Sequence, residues 1–182
     1  MTSNRGGKLK LACLTVLGSG YLRPAPATWA SAFVTLLWGG LWWLLNQVSP
    51  VRWPIECVTA VGIVTACWLS VRWGEWGIAR FGSKDPRPFV LDEFAGQWVA
   101  LLGLPLIAGG DPAALVWVLG GQFVLFRVMD IAKPPPAYQI QRWPAGWGIL
   151  MDDVVAGLYA NVVGQLVWRL SPLGTWLGLV ST

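Results

Sequence analysis

The chain has 182 residues, of which 55% are hydrophobic and only 12% charged, with a net charge of +4 and no histidine. A typical soluble domain is about a quarter charged, so this composition excludes one and points to an all-α integral membrane protein, reinforced by a mean hydropathy of +0.55 and abundant Gly, Pro and Trp. No basic run of the kind that grips nucleic acid is present. The three cysteines (Cys13, Cys57, Cys67) have no metal or redox spacing and read as small packing residues.

The length suggests a single domain over residues 1–182, with a flexible basic tail over 1–8. Nothing in the N-terminal stretch has the pattern of a cleavable signal. Residues 9–22 are apolar but too short to span, which predicts an interfacial or re-entrant helix. The stretch "GSGYLRPAPATWAS" (18–31) follows, with glycines that relax the backbone and prolines that stiffen it. Arg23, Thr28 and Ser31 there can offer donors to a phosphate; equally, Thr28 can be the N-cap of the next helix.

About 20 apolar residues span a bilayer as a helix. Five segments are candidates, at roughly 29–48, 54–73, 90–109, 113–131 and 149–170. Asp111 and Pro112 form a plausible cap for the fourth. The tryptophan clusters Trp38, Trp42, Trp43 and Trp73, Trp76 suit interface anchors. With the N-terminus inside and five spans, 11 of the 13 Lys and Arg residues fall on the cytoplasmic side, leaving Arg52 and Arg169 outside.

On that topology seven of nine acids are also cytoplasmic. Asp92 and Glu93 begin the third span, Asp130 ends the fourth, and Asp152 and Asp153 begin the fifth. Helix dipoles favour acids at N-termini but not Asp130 at a C-terminus. Five carboxylates at one depth repel unless protonated or gathered round a cation. All-oxygen donors select a hard metal, Mg²⁺ first, then Mn²⁺ or Ca²⁺. "DEFAGQ" (92–97) and "DDVVAG" (152–157) both set paired acids one turn before small residues, which let helices approach closely.

Basic residues near the acids suit phosphoryl chemistry. Arg127 and Lys133 bracket Asp130 in "FRVMDIAKPPP", and Lys84 and Arg87 lie in "SKDPRPF" (83–89). The pairing of Arg127 with Asp130 is also explained as a structural ion pair, and Lys84 and Arg87 can meet a headgroup or an anionic lipid surface. Without histidine there is no His nucleophile or Zn–His site; no Cys-based phosphatase loop and no D-x-D pair occur either. What remains is metal-activated water attacking a phosphoryl group, with a carboxylate as base. Intramembrane acids also mark ion paths, so a divalent-cation transporter or channel is the alternative, although no acid lies at the midplane to relay an ion.

These motifs together resemble the phosphatidylglycerophosphatase A family. The resemblance is carried by "GSGYLRPAPAT", "VLDEFAG", "FRVMDIAKPPP" and "GILMDDVVAG", over residues from about 14 to 165. Ala27, Ala30, Pro144 and Ala145 depart from the family's pattern. The resemblance implies Mg²⁺-dependent removal of the terminal phosphate of phosphatidylglycerophosphate. It implies a multi-pass protein of the bacterial inner membrane, with its active site facing the cytoplasm and no obligate protein partner. Asp92, Glu93, Asp130, Asp152 and Asp153 are the expected catalytic and metal residues. Arg23, Thr28, Ser31, Lys84, Arg127 and Lys133 are the expected substrate contacts.

Overall fold

The computed structural model describes residues 3–49, 51–106, 111–140, 142–143 and 145–179. Within these the protein is helical, and no strand occurs among the described residues. The helices are α1 (Ser3–Leu14), α2 (Pro26–Val48), α3 (Trp53–Phe81), α4 (Leu91–Leu101), α5 (Pro112–Ala132), α6 (Ala137–Ile140), α7 (Ala145–Leu170) and α8 (Pro172–Trp176), with a 3₁₀ turn at Ser19–Tyr21. Four of them, α2, α3, α5 and α7, are long and apolar enough to cross a membrane. Their outer faces expose Leu36, Val61, Val64, Trp68, Val116 and Val124, the residues a bilayer would solvate.

The third expected span is not a long helix. α4 has 11 residues, about 16 Å at 1.5 Å per residue, and this is too short to cross. Gly103 at φ +65 and Pro105 stop it. Yet α4 is the centre of the molecule: nine of its residues are buried, and it packs against α2, α3, α5 and α7.

Ending a helix inside a bundle leaves carbonyls without partners, and here side chains supply them. Gln122 and Asn161 donate to Ala100 O at 2.6 and 3.1 Å. Asn161 and Gln165 donate to Leu102 O at 2.6 and 3.0 Å. Arg169 donates to Gly103 O, while Gly103 N donates to Glu56 at the start of α3. The chain therefore reaches, without further helix, the end of the bundle that holds Arg52, Glu56 and Arg169. Irregular backbone at membrane depth is tolerated where protein buries it in this way.

The N-terminal expectation is also revised. A helix covers most of the stretch expected as a tail, and α1 packs on the last turns of α3. Lys10 lies over the Trp76 ring, Leu14 sits against Gly77, and Leu14 O accepts from Val90 N at 2.8 Å. Trp38 and Trp42, expected at an interface, are in the core; Trp38 Nε1 donates to Thr59 at 2.7 Å, joining α2 to α3. Trp43 alone of that cluster is exposed.

Candidate active site

Three helix ends converge. α4 begins with Asp92 and Glu93, α5 ends at Asp130 and Lys133, and α7 carries Asp152 and Asp153 in its third turn. Their register is set by glycine. A Cβ built on Gly157 would lie 2.1 Å from Gly96 O, and one on Gly96 would lie 2.5 Å from Asp153 O. Backbone thus touches backbone between α4 and α7, one turn below the paired acids, as small residues at a helix crossing permit. The C-terminus of α5 is stopped by Lys133 at φ 42 and by the three prolines that follow. Tyr159 of α7 donates to Pro135 O at 2.7 Å and ties that turn to α7.

The result is a cavity of about 450 Å³ lined by Asp92, Glu93, Asp130, Asp152, Asp153, Lys84 and Lys133 among others. Asp92, Glu93 and Asp153 are buried, and each offers an oxygen within 4.8 Å of the others. Such crowding is costly without a compensating charge. Asp92 Oδ1, Glu93 Oε2 and Asp152 Oδ1 are buried with no hydrogen-bond partner among the described residues. Three carboxylates within reach of one another, two of them with an orphaned oxygen, fit a hard cation.

The bases occupy distinct places. Lys133 Nζ meets Asp152 Oδ2 across the cavity. Burial works against its charge, but the Asp152 hydrogen bond and the surrounding carboxylates outweigh that and raise its pKa. Arg127 pairs with Asp130 at 2.8 Å on the same helix, which agrees with the structural ion-pair explanation; it does not line the cavity. Lys84 does line it.

Arg23, Thr28 and Ser31 are absent from the lining. Arg23 faces a different cavity. Thr28 is not a cap, because α2 begins at Pro26 with Ala25 in that position. Ser31 is buried and its hydroxyl donates to Ala27 O at 2.9 Å. In the other direction, Asp85, Trp143 and Ile149 line the cavity without having been singled out. Gln97 is fully buried one turn after Glu93 with neither amide atom partnered among the described residues. Only its place in "DEFAGQ" marked it in the sequence.

The family model for Phosphatidylglycerophosphatase A matches residues 12–168. A Bacteroides thetaiotaomicron protein provisionally named a phosphatidylinositol-3-phosphatase is 32% identical over 153 residues, covering 82% of this chain and 87% of that one. A phosphatidylglycerophosphatase A from Haemophilus influenzae is 35% identical, covering 80% of each chain. One from Escherichia coli is 37% identical over 51% of each. No solved structure matches. The matched residues contain all five acids and the glycines that register them, and the chain belongs to the phosphatidylglycerophosphatase A family of phosphoric monoester hydrolases.

Proposed function

We propose that the protein hydrolyses the terminal phosphomonoester of phosphatidylglycerophosphate, giving phosphatidylglycerol and inorganic phosphate, at the cytoplasmic face of a bacterial inner membrane. The observation that carries this is the buried set Asp92, Glu93 and Asp153 at one end of a bundle of apolar helices, with Lys133 across the same cavity. A headgroup can enter such a site while acyl chains stay in lipid. The excess of Lys and Arg at this end supports the cytoplasmic orientation.

Asp92, Glu93 and Asp153 would hold the cation, and Mg²⁺ suits an all-oxygen set that keeps room for phosphate. Bound there, it lowers the pKa of a water and offsets charge on phosphoryl oxygens. Lys133 and Lys84 draw the phosphate into the cavity. Asp152 is anchored by Lys133 through one oxygen and has no protein donor on the other among the described residues. In this reading Asp152 takes the proton from the attacking water. The new P–O bond forms as the bond to the glycerol oxygen breaks; that oxygen takes a proton from bulk water and leaves as the alcohol, while Asp152 returns to solvent the proton it received.

The Bacteroides relative favours a second substrate, a phosphoinositide monoester. Phosphate release should therefore be measured from phosphatidylglycerophosphate and phosphatidylinositol 3-phosphate side by side, with Mg²⁺ or with EDTA. The expected result is Mg²⁺-dependent release from phosphatidylglycerophosphate that Asp153→Asn abolishes. Release that survives EDTA or Asp153→Asn defeats the metal assignment. Faster turnover of the inositol lipid replaces the substrate.

A further inference from the structure

A second cavity opens at the same end of the bundle. It measures about 650 Å³ and is lined by Gly20, Tyr21, Leu22, Arg23, Arg87 and Pro88, among others. It shares no lining residue with the carboxylate cavity. The loop 82–90 lies between them, with Lys84 and Asp85 in one and Arg87 and Pro88 in the other. No acid lines the second cavity, and neither arginine has an acidic partner among the described residues. Its wall is close-packed: a Cβ on Gly20 would come within 2.3 Å of Pro88 O.

An apolar groove of about 440 Å³ adjoins it through Leu22, lined by Val16, Leu17, Leu22 and Phe33. Leu17 is 79% exposed and Leu22 50%. Large apolar residues so exposed beside unpaired guanidinium groups fit neither water nor lipid alone. They fit the boundary between the two.

We propose that this pair of cavities binds one anionic phospholipid that is not the lipid being hydrolysed. Arg23 and Arg87 hold its phosphodiester through charge-assisted hydrogen bonds, and the Leu17–Leu22–Phe33 groove takes part of an acyl chain. The separate lining and the separate apolar groove favour a second lipid over the substrate's own diester.

The test is lipid binding to the full chain in neutral detergent, counted by native mass spectrometry. The probes are dioleoyl phosphatidylserine, a phosphodiester with no terminal monoester to lose, and dioleoyl phosphatidylcholine as the neutral control. Wild type is expected to retain one phosphatidylserine in preference to phosphatidylcholine. R23Q/R87Q is expected to bind it roughly 25-fold more weakly, about fivefold for each arginine at an anionic surface. Should the double variant unfold, Arg87→Gln alone lies on an exposed loop and is expected to show the fivefold share. Equal phosphatidylserine binding by wild type and folded variant overturns the proposal. So does a rise in KM for phosphatidylglycerophosphate without loss of phosphatidylserine binding, which would assign the arginines to the substrate. Because binding is read without turnover, failure here is separate from failure of the proposed hydrolysis.

Discussion

Gly157→Ala tests whether helix contact creates the carboxylate cluster. The added methyl would sit 2.1 Å from Gly96 O, 2.9 Å from Gly96 C and 3.1 Å from Gly96 Cα. All three atoms are backbone, so no side chain can rotate away. Restoring an ordinary carbon–oxygen contact requires α4 and α7 to part by about 1 Å, and overpacking of this kind costs about 1–3 kcal/mol. The parting acts one turn below Asp92, Glu93, Asp152 and Asp153, whose relative position it controls. A misplacement of about 1 Å at a reacting centre can cost about a hundredfold in rate. The assay is kcat for phosphate release together with Mg²⁺ titration and thermal unfolding in detergent. Expected are a kcat lower by about two orders of magnitude, weaker Mg²⁺ dependence and a folded protein. Gly121→Ala is the control, since the atoms nearest its methyl would belong to the Trp168 side chain rather than to backbone, far along α5 from Asp130. If Gly157→Ala turns over within twofold of wild type, about the noise of such an assay against the expected hundredfold loss, the glycine contact does not set the site.

Other outcomes follow from the same coordinates. In EDTA, Asp153→Asn should melt at a higher temperature than wild type, because it removes one of the mutually repelling buried carboxylates; saturating Mg²⁺ should raise the wild-type midpoint and leave the variant's nearly unmoved. Lys133→Gln should leave Asp152 without its cation and lower stability, by about 1–3 kcal/mol for the lost charged partner. Since the Lys133 pKa is raised, its contribution is complete below the ordinary lysine value and is lost only as pH rises through the folded one. The difference in unfolding free energy between wild type and Lys133→Gln should therefore stay flat from about pH 7 to 9. Gln122→Leu removes one donor from Ala100 O, which keeps Asn161, and one from Ala160 O, and it leaves the buried Trp168 Nε1 without its acceptor; denaturant unfolding in detergent should show a loss of about 1–3 kcal/mol for that unpaired group.

That the acids gather at one end of the bundle, and that α5 and α7 carry Asp130, Asp152 and Asp153, was legible from residue type and spacing. Charge bias and apolar length are properties of the chain itself, and a bilayer acts on them segment by segment. Asp111 and Pro112 capping α5 is a local matter of the same kind; Asp111 accepts from Ala113 N at 2.9 Å. Thr28 shows where local rules run out, since Pro26 takes the first helical position and leaves the threonine inside the helix.

Only the tertiary structure decided that residues 90–109 do not form one long helix. Hydropathy cannot distinguish a spanning helix from a short one whose last carbonyls are taken up by Gln122, Asn161, Gln165 and Arg169, residues 20 or more positions away along the chain. Nor could spacing separate Arg23 from the carboxylates, because a loop's course depends on what it packs against, here Pro88 under Gly20. Composition and pattern settle what each segment must bury; which partner buries it is settled by contacts between segments remote in sequence.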